Sequence, residues 1–248
     1  MLPKSFKLKS KISINCNFVH SVECWSHEKL SITLVTCKFD VKQYTPELFA
    51  TLGIYFPDQI KRSVYKRQAE FLAGRFAAKY ALLNQGIQQE NLPIIHIGLH
   101  RAPIWPKCIV GSITHNTSKV VCVLGDNIEN KHIGIDIESI LSNKTASDIA
   151  PQIHNDAELN IVLTQIFPTN IATTLIFSAK ESLFKALYPT VKSYFGFECA
   201  KVYEIGDGYI RLKINHDFVK RYNLKEIYIC YFKIQGEDIT TLLYCAGA

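Results

Sequence analysis

Two carboxylates stand two residues apart in His132-Ile-Gly-Ile-Asp-Ile-Glu138, and a third lies with two lysines in Phe177-Ser-Ala-Lys-Glu-Ser-Leu-Phe-Lys185. If residues 132–138 form a strand, alternation puts Gly134, Asp136 and Glu138 on one face and the three isoleucines on the other. The two acids are then about 6.6–6.8 Å apart at Cα, close enough to converge on one cation. Oxygen ligands of this kind suit a hard divalent ion such as magnesium, which completes its octahedron with waters and substrate phosphates. A solvated polar face on an edge strand is the competing reading. On the helix, Ile171, Leu175, Ala179, Leu183 and Leu187 form an apolar stripe and leave Glu181 and Lys185 one turn apart on another face. Glu181 is thus a candidate ligand or base, and Lys185 a candidate phosphate-binding cation. An ordinary i,i+4 ion pair explains the same spacing. A capping box at Ser178-x-x-Glu181 does not, because the apolar pattern already runs upstream from Ile171.

Two further groups offer cations and hydroxyls. In Lys66-Arg-Gln-Ala-Glu-Phe-Leu-Ala-Gly-Arg-Phe-Ala-Ala-Lys79, the residues Arg67, Arg75 and Lys79 fall within about 120° of a helix surface, a basic edge that could meet phosphate. Solvated charges on an amphipathic helix would look the same. Gly111-Ser-Ile-Thr-His115 reads as a loop bringing hydroxyls and an imidazole, and Arg101-Ala-Pro-Ile-Trp-Pro-Lys107 adds two cations. A Ser–His pair also suggests nucleophilic catalysis, but no G-x-S-x-G elbow accompanies it.

The elements that must position these groups are read from periodicity and punctuation. Residues 12–20 and 30–39 are rich in strand formers. A helix start is read at Thr45-Pro-Glu, and a long helix spans 63–84 with Gly86 just beyond it. The stretch 86–111, with Pro93, Pro103 and Pro106, reads as mostly loop. Strands at 119–124 and 132–138 follow, then a polar stretch, helices at 156–166 and 170–188, the latter stopped by Pro189, and strands at 209–214, 227–233 and 240–245. This order is α+β, and the turn-rich link at 125–131 suggests two halves, each with strands and a long helix.

Composition bounds the answer. The 248 residues are 48% hydrophobic and 20% charged, ordinary for a globular chain and long enough for one sizeable core or two small ones. No apolar run approaches the roughly 20 residues of a spanning helix, and residues 1–10 lack the apolar core of a signal peptide, so a soluble cytoplasmic protein is expected. The eight cysteines are scattered, several in apolar runs, and contain no C-x-x-C, so buried free thiols are expected and a thiolate zinc site is not. A net charge of +6 fits an anionic ligand or an acidic partner protein. Nucleic acid fits less well, since there is no long basic run.

The order of the motifs adds more than any one of them. Arg67-Gln-Ala-Glu-Phe-Leu-Ala-Gly-Arg75, Arg101-Ala-Pro-Ile-Trp-Pro with Gly111-Ser-Ile-Thr-His115, Gly134-Ile-Asp-Ile-Glu138, and Phe177-Ser-Ala-Lys-Glu-Ser-Leu-Phe-Lys185 together resemble the 4′-phosphopantetheinyl transferases of the enterobactin-synthase type. The resemblance extends from about residue 60 to 205. It implies two similar α/β lobes in pseudo-twofold relation with the active site in the cleft between them. Residues 1–128 would bind coenzyme A phosphates; residues 129–248 would bind magnesium and dock the carrier. It assigns the metal to Asp136, Glu138 and Glu181, and coenzyme A contacts to Arg67, Arg75, Arg101, Thr114, His115, Lys180 and Lys185. Glu181 and Lys185 become the catalytic pair. The implied reaction moves the 4′-phosphopantetheine arm of coenzyme A to a serine of an acidic apo carrier domain of a nonribosomal peptide synthetase, in siderophore biosynthesis, and releases 3′,5′-ADP. The enzyme would be a monomer, its docking surface formed by the segment after Glu138 and the helix bearing Leu183 and Phe184. Phe177 stands where many relatives carry tryptophan. The alternatives are another magnesium-dependent pyrophosphate-cleaving enzyme, with water as nucleophile, and a non-catalytic carrier-binding module.

Overall fold

The computed structural model describes residues 5–246, which divide into a unit of residues 5–130 and a unit from residue 131 onward. In the first unit, β1 (Phe6–Ser13), β2 (Val19–His27) and β3 (Ile32–Phe39) form a meander. Two one-turn helices, α1 (Leu48–Thr51) and α2 (Asp58–Lys61), lead to the long α3 (Tyr65–Asn84) and then to β4 (Ile109–His115) and β5 (Lys119–Asp126). The strands lie in the order β1-β2-β3-β5-β4, antiparallel throughout. No β-branched residue interrupts α3, which favours the helix. Its buried face, Ala69, Leu72, Ala73, Phe76 and Ala77, packs on Val35, Cys37, Val120 and Cys122 of the sheet. Gly86, at φ +88°, follows the helix end.

The second unit starts on the edge strand β6 (Asn130–Ser139). It continues through α4 (Asn143–Ile153), α5 (Asp156–Leu163), α6 (Thr169–Val191), β7 (Ala200–Gly206), β8 (Tyr209–Ile214), α7 (His216–Tyr222), β9 (Ile227–Gln235) and β10 (Asp238–Ala246). The sheet order is β6-β10-β9-β8-β7. Helix α6 buries Leu175, Ile176, Ala179, Leu183 and Leu187 against Ile210, Leu212, Cys230, Ile239 and Leu243. Two antiparallel sheets, each packed by helices, bear out the α+β expectation. No helix among the described residues is long and apolar enough to cross a membrane.

Several local expectations are corrected. Residues 12–20 are not a strand but straddle the β1–β2 connection, where the Ile14 amide donates to the His20 carbonyl. The true first strand is disguised by Lys7, Lys9 and Lys11, exposed on an edge that such lysines protect from pairing. Gly111–His115 is not a loop but most of β4, in register with Val120–Leu124 of β5. The polar stretch after Ser139 contains α4, capped by the Ser142 hydroxyl accepting from the Thr145 amide. Pro189 does not end α6, which runs to Val191 before Lys192 turns left-handed at φ +56°. A proline so near the C-terminus forfeits one helical hydrogen bond and is tolerated. All eight cysteines are free, but only Cys24, Cys37, Cys122 and Cys230 are buried; Cys16, Cys199 and Cys245 are half-buried and Cys108 is exposed.

Candidate active site

Helix α6 and strand β6 meet at a glycine. A Cβ on Gly134 would overlap the Ser182 carbonyl and the Ala186 amide, so only glycine lets the strand backbone lie against the helix. Two residues on, Asp136 is therefore buried at 2% exposure instead of presenting a solvated face. Lys185 Nζ sits 2.6 Å from Asp136 Oδ1, and the Ser178 hydroxyl donates to Oδ2 at 2.8 Å. Glu138 is one step further along the strand. Burial, with help from the charges of Asp136 and Glu181 and against the pull of Lys185, pushes its carboxyl up to about 7. Burial also raises Glu181, opposed by Lys185 and reinforced by Asp136. The fold thus gathers Asp136, Glu138, Glu181 and Lys185 into one electrostatic neighbourhood in which three acids repel one another. Among the described residues no group of three or more His, Cys, Asp or Glu side chains is arranged so that it could hold a metal ion. The donor set itself, crowded hard oxygens with raised carboxyls, fits a divalent cation that would relieve the repulsion.

In the first unit the cations are held more loosely. Arg67 Nη1 and His115 Nε2 each lie 3.9 Å from the same oxygen of Glu70, which joins α3 to the end of β4. Arg75 donates from Nε to the Ile95 carbonyl at 2.9 Å, and its guanidinium stacks 4.5 Å from the Phe71 ring centroid. Burial lowers it to about 10, still cationic at neutral pH. It lines a cavity of about 90 Å³ with Lys79, Tyr55 and Ile95. Lys79 donates to the Leu52 carbonyl at 2.9 Å. Thr114 is buried at 5%, because β4 turns it inward. Arg101 is exposed on a turn in which both it and His100 have positive φ, 64° and 51°. Arg67, Glu70 and His115 are thereby brought together, and Arg67 lies near enough to Arg75 to depress it further.

Comparison with known proteins decides the family. The 4′-phosphopantetheinyl transferase N-terminal domain model matches residues 56–125, and the 4′-phosphopantetheinyl transferase superfamily model matches residues 132–240. The chain belongs to the 4′-phosphopantetheinyl transferases. Enterobactin synthase component D of Salmonella typhi is 34% identical over 186 residues, 75% of each chain. Its counterpart from Salmonella typhimurium is 38% identical over 157 residues, 63% of each chain. A 4′-phosphopantetheinyl transferase of Mycobacterium tuberculosis is 33% identical over 147 residues, 58% of this chain and 61% of that one. This protein is accordingly an enzyme that moves the phosphopantetheine arm of coenzyme A onto carrier proteins.

In this transferase the two motif lysines have different surroundings. Lys180 is 3% exposed, and its ammonium meets Glu158 Oε1 at 2.7 Å, the Ile153 carbonyl at 2.7 Å and the Phe197 carbonyl at 3.2 Å. In this arrangement three acceptors use its three protons. Glu158 was missed by sequence reading; in the structure it closes a capping box with Asn155. Its other oxygen contacts, Lys180 and the Val202 amide at 3.0 Å, are long-range. Leu183, on the apolar stripe of α6, is 1% exposed and belongs to the core. Phe184 instead stacks on Tyr194, with centroids 5.8 Å apart and planes at 11°, beside a cavity of about 200 Å³ that Glu181 also lines.

Proposed function

We propose that this transferase modifies a serine of an apo peptidyl or aryl carrier domain in a siderophore-producing nonribosomal peptide synthetase, as a cytoplasmic monomer using magnesium. The curated relatives named enterobactin synthase component D support that client class, and the net charge of +6 suits an acidic carrier. The observation that carries the site assignment is the convergence of Asp136, Glu138, Glu181 and Lys185, with Lys185 2.6 Å from Asp136. Asp136, Glu138 and Glu181 would hold magnesium, which when bound offsets charge on the pyrophosphate oxygens.

The chain's own groups then do the following. Arg67, Arg75, His115 and Thr114, with Arg101 reaching from its exposed turn, bind coenzyme A phosphates by charge-assisted and neutral hydrogen bonds. Glu181, whose carboxyl burial holds above the ordinary range, accepts the proton of the carrier serine as its oxygen attacks the β-phosphorus. The bond from that phosphorus to the bridging oxygen breaks, and Lys185 stabilises or protonates the departing 3′,5′-ADP. Positioning and electrostatics supply most of the acceleration, as in phosphoryl transfer generally.

Incubation with coenzyme A, magnesium and an apo carrier, read by mass spectrometry of the carrier, tests the proposal. The expected result is a phosphopantetheine mass gain that falls by a factor on the order of 10²–10⁴ in Glu181→Gln. A carrier that stays apo while coenzyme A is consumed would show hydrolysis instead.

A further inference from the structure

Three buried hydroxyls lie beneath Asp136. Ser178 and Ser182, one turn apart on α6, and Thr241 on β10 are each 0% exposed. Ser178 Oγ is 2.8 Å from Asp136 Oδ2 and 2.9 Å from Thr241 Oγ1. Thr241 Oγ1 is 2.7 Å from Ser182 Oγ and 2.8 Å from the Ser178 carbonyl. Ser182 Oγ also lies 3.0 Å from the Thr241 carbonyl. Leu175, Ile176, Ala179, Leu183 and Ala186 of α6 are buried around them.

Proton counting gives the chain a direction. An aspartate that carries Lys185 on one oxygen is an acceptor, so the single proton of Ser178 goes to Oδ2. Ser178 Oγ then faces Thr241 as an acceptor, and Thr241 shares its proton between that oxygen and the Ser178 carbonyl. Thr241 Oγ1 in turn accepts from Ser182, whose proton is shared with the Thr241 carbonyl. Each donation polarises the next, so the string Ser182–Thr241–Ser178 ends on one oxygen of Asp136 and pins the carboxylate about its χ2 axis.

We propose that Ser178 and Thr241 are positioning residues that orient Asp136, fixing Oδ2 inward so that Oδ1 is presented toward Lys185 and the divalent cation. The inference rests on the reading that Asp136 is a metal ligand. Partners that orient a ligating carboxylate commonly change metal affinity by about 10–100-fold when removed.

The test is titration of manganese(II) into the full-length protein with coenzyme A present, following free ion by electron paramagnetic resonance, with thermal melts as the check on folding. Ser178→Ala and Thr241→Val are each expected to weaken manganese by about tenfold or more. Because both cut one string, the double variant should be no weaker than the worse single, and Thr241→Ser, which keeps the hydroxyl, should bind as the wild type does. Effects of the two substitutions that multiply, or folded Ser178→Ala that keeps wild-type affinity, would overturn the positioning role while leaving the metal reading standing. Wild-type protein that binds no manganese would overturn both. Should Thr241→Val fail to fold, Ser178→Ala and Thr241→Ser still decide between these outcomes.

Discussion

The two units share an architecture, a five-stranded sheet with one long helix laid on it, yet they handle charge in opposite ways. Arg67 of α3 and His115 each lie 3.9 Å from Glu70; on α6, Lys180 and Lys185 meet carboxylates at 2.7 and 2.6 Å, and both of those carboxylates are buried. Pairs as long as 3.9 Å contribute little. Tight buried pairs do the reverse: they hold geometry, and each charge depends on its partner. The close contacts differ as well. In the first unit the glycine of the contact, Gly74, is on the helix, and a Cβ there would meet only Ile113 Cγ2 at 3.2 Å. In the second, Gly134 is on the strand and a Cβ would strike helix backbone.

The sharpest way to break the comparison is at Lys180. Lys180→Met strands Glu158 without its cation and should lower stability by roughly 3–5 kcal/mol, with Glu158→Gln/Lys180→Met costing less than the sum of the singles. Denaturant unfolding of the three variants measures this. A Lys180→Met protein of unchanged stability with only a raised KM for coenzyme A would instead make Lys180 a coenzyme A ligand. Next comes the glycine pair: Gly134→Ala should cost about 3 kcal/mol through overpacking against backbone. Gly74→Ala should stay within about 1 kcal/mol, since the gain in helix propensity offsets a small shift of Ile113. Equal losses in the two melts would remove the distinction.

His132 supplies a pH-dependent effect in the second unit. Its ring lies 3.2 Å from the Ala186 carbonyl and is 2% exposed, and burial pushes it down to about 4. A histidine whose folded value is depressed contributes stability that is whole above its unfolded value near 6.5 and is lost as pH falls toward 4. His132→Gln should flatten the stability profile across that window by on the order of 2 kcal/mol, checked by urea unfolding at pH 7 and pH 4.5. Arg67→Ala should raise KM for coenzyme A by about tenfold, a loss near 1.4 kcal/mol, with the melting temperature unmoved. Arg75→Ala, which also breaks the Ile95 and Phe71 contacts, should lower both affinity and stability.

What could be read from the chain was what depends on near neighbours. Helices α3 and α6 were legible because their apolar residues recur at helical spacing over 20 and 23 residues. The buried strands β3 and β5 were legible as apolar runs. The lysine-studded β1 was not, since an edge strand with one buried side chain, Phe6, leaves almost no period-2 signal. Gly111–His115 was hidden by the prolines before it and by hydroxyls that pass for loop composition, although Ser112 and Thr114 are buried in the sheet.

The motif lysines mark the boundary most clearly. By itself the sequence determined that Lys180, Glu181 and Lys185 share a helix at spacings of one and five residues, so the two lysines diverge by about 140° around it. It also determined the order of motifs that carries the family. Only the tertiary structure decided that Lys180 points to Glu158, 22 positions earlier, while Lys185 crosses to Asp136, 49 positions earlier. It alone sets the carboxyl of Glu138 near 7 and strings three hydroxyls to Asp136. Helical spacing sets only the direction in which a side chain leaves the axis. Whether a charge there is a ligand or a strut depends on desolvation and on partners brought by chain segments far away.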